Sequence, residues 1–300
     1  MSIEQRIEQL KHDRNAVILV HNYQRGEVQD IGDFVGDSLG LSQQAAKTEA
    51  EVILFCGVHF MAETAKIISP QKLVIVPDVN AGCPLANMVT VRELREMKRE
   101  HPDAVVVTYV NSTAAVKAES DICCTSANAV KVVDSVPKHK EVLFIPDRNL
   151  GRYVAVQLGR ELILSKGYCP THQRILPDHV AEMKRKHPGA RVVVHPECVS
   201  QTIALADHVG STTGILKFCA ESRASEFIIG TEIGILHRLR KENPGKTFYE
   251  VSPLADCPDM KLTTLEKVLW SLEDLVYEVQ VPDDIAAGAR GAIDRMLATT

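Results

Sequence analysis

Three dipeptides in this 300-residue chain set a thiol ahead of a proline, Cys83-Pro84, Cys169-Pro170 and Cys257-Pro258, at steps of 86 and 88 residues. A free cysteine is more often a small buried hydrophobe than a ligand, and "CPTHQ", with His172 three residues after Cys169, is only half of a local zinc motif. Thiols recurring at near-equal spacing carry more, because a threefold arrangement of repeats brings equivalent positions to one axis. Three thiolates would hold zinc or an iron-sulfur cluster, and three protein ligands leave one position open for a substrate. Residue types alone do not separate those two. Of the other cysteines, Cys56 in "VILFCGV" reads as core, Cys123 and Cys124 in "DICCTSAN" as a buried turn, and Cys219 in "ILKFCAE" as helix packing. Cys198 in "HPEC" is the rival ligand, but it follows the first strand of its repeat, where the other repeats have Gln24 and Ser112.

Polar pairs two residues apart close three apolar runs: His21 with Tyr23, Tyr109 with Asn111, and His195 with Glu197. On a strand such pairs share a face, and His195 with Glu197 offers proton transfer near neutral pH against the plainer reading of a structural ion pair. A step of 17 residues leads from His21 to Ser38, from Tyr109 to Ser126 and from His195 to Thr212. These hydroxyls, with Ser211, fall where a helix begins. That is a place for anions, drawn by free N–H groups and the helix dipole, and equally a place for a simple N-cap.

The elements that must carry these groups follow a period. "NAVILVHNYQ", "DAVVVTYVNS" and "GARVVVHPEC" are buried β-branched strands, the last two preceded by the near-copies "REMKREHP" and "AEMKRKHP". Each is followed by a small-residue turn opening a helix ("DFVGDSLG", "DICCTSAN", "DHVGSTTG"), by a second strand ("EVILFCGV", "EVLFIPD", "EFIIGTE") and by a third ("KLVIVPD", "ELILSKG", "KTFYEVS"). The fold class expected is α/β: three units, 1–88, 89–173 and 174–264, each a small parallel sheet with helices, and a C-terminal extension, 265–300, packing on the first. Ligands bind beyond the carboxyl ends of such strands, so every unit offers its turn and its Cys-Pro loop at the same edge.

Bulk composition narrows the partners. A net charge of −5 argues against a nucleic-acid or anionic-membrane surface and for small molecules. The N-terminus "MSIEQRIEQLKHD" lacks a signal-peptide core, and no apolar run is long enough to span a bilayer, so a cytoplasmic location is expected and a disulfide framework is not. Neither G-x-G-x-x-G nor G-x-x-x-x-G-K-[ST] occurs, so the units need not bind a nucleotide.

"HNYQ", "DFVGDS", "CPLANM", "YVNSTA", "TSANAV", "PDRNLG", "CPTHQ", "HPEC", "GSTTG", "GTEIG" and "CPDMK", in that order over about residues 15 to 265, closely resemble the quinolinate synthase family. The resemblance implies three Rossmann-like αβα domains about a pseudo-threefold axis around a central active site, with a [4Fe-4S] cluster on Cys83, Cys169 and Cys257. It implies condensation of iminoaspartate with dihydroxyacetone phosphate to quinolinate for NAD biosynthesis, with iminoaspartate supplied by an L-aspartate oxidase or dehydrogenase. The catalytic residues would be Glu197, His195, Tyr23, His21 and Tyr109. Substrate would meet His21, Ser38, Tyr109, Asn111, Ser126, His172, His195, Glu197, Ser211 and Thr212. Some relatives carry Cys-x-x-Cys-x-x-Cys at the last ligand, whereas "CPDMKLT" has one cysteine, which puts a redox-switch disulfide there in doubt. Two other readings use the same thiols: a non-catalytic iron-sulfur redox sensor and a zinc-dependent lyase of a phosphorylated sugar.

Overall fold

The computed structural model describes residues 1–299. Its twelve strands, in chain order, are β1 (Ala16–His21), β2 (Phe34–Gly36), β3 (Val52–Cys56), β4 (Leu73–Ile75), β5 (Val105–Tyr109), β6 (Ile122–Cys124), β7 (Val142–Ile145), β8 (Ile163–Leu164), β9 (Arg191–Val194), β10 (His208–Val209), β11 (Glu226–Gly230) and β12 (Thr247–Glu250). They form three four-stranded parallel sheets with one repeated order: β2-β1-β3-β4, β6-β5-β7-β8 and β10-β9-β11-β12. In that order the chain reverses direction between the first and third strands, the switch point where α/β sheets take ligands.

Each unit has four strands where the sequence reading expects three. The extra strands, β2, β6 and β10, lie in segments read as turns, because two or three residues at a sheet edge show no period. Cys123 and Cys124 therefore belong to a fully buried edge strand rather than to a turn. Register explains the recurring step of 17 residues. Leu19 pairs with Phe34, Val107 with Ile122 and Val193 with His208, at the same offset. An aspartate precedes each short strand, and its carboxylate accepts the N–H just ahead of the first pairing. Asp33 takes Ile18 N–H at 2.8 Å, Asp121 takes Val106 N–H at 2.8 Å, and Asp207 takes Val192 N–H at 2.7 Å. Those donors would otherwise be orphaned at the edge, so the aspartate stabilises one register and with it the position of the next helix.

Each sheet packs its outer face on a core of its own: Ile18, Val20 and Cys56 in the first unit, Val106, Leu143 and Ile145 in the second, Val192, Val194 and Cys198 in the third. The inner faces share one core running through Leu19, Val107, Phe144, Val193 and Phe227. The units approach closely. A Cβ on Gly234 of the third unit would stand 2.6 Å from the Tyr23 carbonyl oxygen of the first. The C-terminal extension divides between two units. Leu265–Asp274 puts Val268 and Leu272 against Ile7 and Leu10 of the first unit, whereas Asp283–Ala298 lies across Ala114–Ala118 and β6 of the second, and also touches His59–Ile68.

Candidate active site

The carboxyl ends of the three sheets open onto one shared cavity. The first unit contributes His21, Tyr23, Ser38 and Cys83, the second Tyr109, Asn111, Ser126, Cys169 and His172, and the third His195, Glu197, Thr212 and Cys257. Ser211 stands outside this wall. Its hydroxyl accepts Gly214 N–H at 3.2 Å as the N-cap of Thr212–Glu221, a structural use of a hydroxyl at a helix start. Ser38 and Ser126 are not caps. Asp37 caps the helix that Ser38 begins, and Ser126 Oγ meets His195 Nε2 at 3.1 Å.

Glu197 is the hub. It is buried, with Oε2 at 2.7 Å from His172 Nδ1 and 3.4 Å from His195 Nδ1, while Oε1 has no partner. Burial pushes its carboxyl up, but the His172 and His195 rings and the Tyr109 hydroxyl outweigh this and hold it at about 2. The carboxylate is therefore ionised at neutral pH. His195 is pushed down to about 3 by burial, against the pull of Glu197, and His21 to about 4, against the pull of Asp37. Both rings are neutral. His21, in the cavity wall, accepts Tyr23 N–H on Nδ1 at 3.2 Å, which leaves its proton on Nε2. Burial raises Tyr23 and Tyr109 well above the usual phenol range, and the Glu197 charge adds to it, so both remain donors.

A chain of hydrogen bonds joins the first of these tyrosines to the carboxylate. Tyr23 donates to Thr231 Oγ1 (2.5 Å), the Thr231 hydroxyl to His172 Nε2 (2.8 Å), and His172 Nδ1 to Glu197, with donors assigned by what each partner can accept. The sequence reading missed Thr231, although it lies in the quoted "GTEIG". It also missed Arg174, an exposed cation in the cavity wall five residues beyond Cys169, suited to drawing anions in.

The thiols divide cleanly. Cys83, Cys169 and Cys257 are partly exposed to the cavity, one from each unit, whereas Cys56, Cys123, Cys124, Cys198 and Cys219 are buried. Cys198 points into the outer core of its unit, with Sγ at 3.4 Å from the Gly230 carbonyl oxygen. This donor set suits a metal centre. Three thiols from separate units face one space, and two buried acceptors in its wall, Glu197 Oε1 and Asn111 Oδ1, lack a partner. Burial raises all three thiols, Cys83 to about 12, so their protons must leave when metal binds. A second donor group overlaps the first: Cys169, His172 and Glu197 present ligand atoms within 4.8 Å of one another, close enough for a single ion.

Comparison with known proteins bears on this cavity. The family described as Quinolinate synthetase A protein matches residues 5–298. A quinolinate synthase of Geobacter metallireducens is 58% identical over 297 residues, covering 99% of this chain and 97% of the relative. One from Dehalococcoides mccartyi is 55% identical over 295 residues, covering 98% and 97%. A protein of Methanosarcina acetivorans named quinolinate synthase 1 is 54% identical over 293 residues, covering 98% and 96%.

Proposed function

The chain belongs to the quinolinate synthase family of enzymes, and from that premise we propose that it condenses iminoaspartate with dihydroxyacetone phosphate to quinolinate, releasing phosphate and two waters, with a [4Fe-4S] cluster on Cys83, Cys169 and Cys257. The observation that carries this reading is the division of thiols: the three equivalent cysteines share one cavity with an ionised carboxylate, two neutral imidazoles and two phenols. Bound there, the cluster supplies one iron without a protein thiolate, a Lewis acid for a substrate oxygen or nitrogen.

The remaining work falls to side chains. Joining the two substrates requires protons to leave carbon and oxygen atoms to depart as water. Glu197, ionised and with one oxygen free, accepts a proton from carbon. His172, at 2.7 Å, holds that carboxylate in place and connects it through Thr231 to Tyr23, whose hydroxyl would turn from Thr231 to donate toward a departing oxygen. Neutral His21 gives a hydrogen bond through Nε2 without adding a charge. Ser38, Ser126 and Thr212 stand at or beside helix starts, where free N–H groups favour substrate carboxylates and phosphate. Iminoaspartate would come from an L-aspartate oxidase or dehydrogenase. Small-molecule work in the cytoplasm agrees with the acidic charge balance, and no helix among the described residues is long and apolar enough to cross a membrane.

A zinc-dependent lyase is favoured by one observation, the compact Cys169, His172 and Glu197 group. It leaves Cys83 and Cys257 without a task. A redox sensor leaves the polar strand ends without one. The deciding experiment purifies the protein anaerobically, assays iron, sulfide and zinc, and supplies dihydroxyacetone phosphate with iminoaspartate generated in place. About four irons per chain with quinolinate formed is the expected result. Stoichiometric zinc without quinolinate overturns it.

A further inference from the structure

We propose that Asp147 and Glu232 are positioning residues for two of the three thiol ligands, fixing the Cys169 and Cys257 loops by their backbone N–H groups, while the Cys83 loop has no such anchor. The repeat makes the three places comparable. Val20 pairs with Cys56, Thr108 with Ile145 and Val194 with Gly230, so the third strands end at equivalent residues. Two residues further on stand Val58, Asp147 and Glu232.

Asp147 and Glu232 are each 0% exposed, and both oxygens of each are engaged. Asp147 Oδ1 accepts Asn149 N–H (2.8 Å) and Leu150 N–H (2.9 Å), capping Arg148–Leu158, while Oδ2 accepts Cys169 N–H at 3.1 Å. The cap uses one oxygen and the ligand loop the other. Glu232 Oε2 accepts Gly234 N–H at 2.7 Å, while Oε1 accepts Cys257 N–H at 3.2 Å and Lys261 Nζ at 2.7 Å. Lys261 also donates to the Tyr23 carbonyl oxygen at 2.5 Å, and its own carbonyl oxygen accepts Arg25 Nε and Nη2 at 3.1 and 2.9 Å. The Cys257 loop is thus tied both to its own sheet and to the loop that presents Tyr23. The Val58 side chain offers no acceptor, and among the described residues no carboxylate receives Cys83 N–H.

Each of these side chains places both oxygens as acceptors for fixed donors, one of them a ligand's N–H, and groups that orient metal ligands act on how tightly the metal is held. Amide substitution tests this selectively. In Asp147→Asn the amide oxygen can keep the two cap bonds, which turns its NH₂ toward Cys169 N–H, donor against donor. In Glu232→Gln the NH₂ must likewise face Gly234 N–H or the Cys257 and Lys261 donors.

This positioning rests on the cluster reading above, which iron and sulfide analysis of the wild-type holoenzyme decides by itself. Given iron there, wild type, Asp147→Asn and Glu232→Gln holoenzymes are challenged anaerobically with a ferrous chelator in the presence of iodoacetamide, and labelled peptides are mapped over time. Iron release should accelerate about 10 to 100-fold in each variant. The first cysteine labelled should be Cys83 in wild type, Cys169 in Asp147→Asn and Cys257 in Glu232→Gln. Wild-type release rates, or one labelling order in all three proteins, overturn the proposal. Should a variant fail to fold, amide exchange in the wild-type holoenzyme decides instead: Cys169 and Cys257 N–H should exchange at least about tenfold more slowly than Cys83 N–H. Equal rates at the three positions overturn it.

Discussion

The Cys-Pro loops are alike in the three units, and the strand ends are not. Every unit sends one partly exposed thiol to the cavity. The strand ends, at equivalent register, send His21 and Tyr23, Tyr109 and Asn111, and His195 and Glu197. The difference follows from what each set must do. A group on the threefold axis meets each unit in the same way, so one residue type serves in all three. A substrate without that symmetry needs a donor on one side and an acceptor on another. One backbone position therefore holds protonated Tyr23 in the first unit and ionised Glu197 in the third.

The largest effects should come from the alike set. Serine in place of Cys83, Cys169 or Cys257 should remove the brown absorbance of the reconstituted protein and quinolinate formation, equally for the three. Cys198→Ser should keep both, since that thiol faces the outer core. A variant at Cys83, Cys169 or Cys257 that stays brown and active breaks the symmetry on which the comparison stands.

The unlike set should give graded effects. Glu197→Gln keeps the shape and removes the proton acceptor, so turnover should fall by about 10² to 10⁴-fold with iron content unchanged. Tyr23→Phe removes one placed donor and should lower kcat by about 10²-fold. Near-wild-type turnover of Glu197→Gln in anaerobic assays would remove the acceptor role. If Tyr23→Phe instead raised only the Michaelis constant, Tyr23 would bind substrate without donating in the reaction.

The buried imidazoles sharpen the comparison through pH. His21 and His195 are held at about 4 and about 3, below their ordinary value near 6.5. Between those values the unfolded chain binds protons that the folded chain does not, so stability is complete above about pH 6.5 and falls as pH drops toward 4. Each histidine adds a slope of about 1.4 kcal/mol per pH unit across that window. Glu197, held at about 2, acts in the same direction below about pH 4.5. Urea midpoints of the iron-free protein should therefore drop from pH 6.5 to 5, and His21→Asn should flatten the drop. An unchanged slope would mean that the ring is already charged in the fold.

Legibility in the sequence followed the length scale of each signal. The repeat was readable because apolar strands and Cys-Pro loops return at a fixed step, and it led to the residues that line the cavity. Thr231, Asp147 and Glu232 gave no such signal, since each matters through a partner remote in sequence: Tyr23, Cys169 and Cys257. A polar residue after a strand looks the same whether it faces solvent or holds a loop. The C-terminal extension was expected on the first unit alone, yet Asp283–Ala298 lies mainly on the second, because an apolar stripe does not name its partner.

The smallest predicted effect separates two neighbouring uses of a hydroxyl at a helix start. Ser126 and Ser211 look equivalent in sequence, since each lies in a small-residue turn before a helix. In the structure Ser126 faces His195 across the cavity, while Ser211 turns back onto Gly214 N–H. Ser126→Ala should therefore raise the Michaelis constant for an anionic substrate and leave thermal stability nearly unchanged. Ser211→Ala should leave kinetics unchanged and lower stability by about 0.5 to 2 kcal/mol, the usual loss for an N-cap. Both quantities are measured on both variants. If they fall together in each, the helix starts act as one unit, and the division between capping and substrate-facing hydroxyls does not hold.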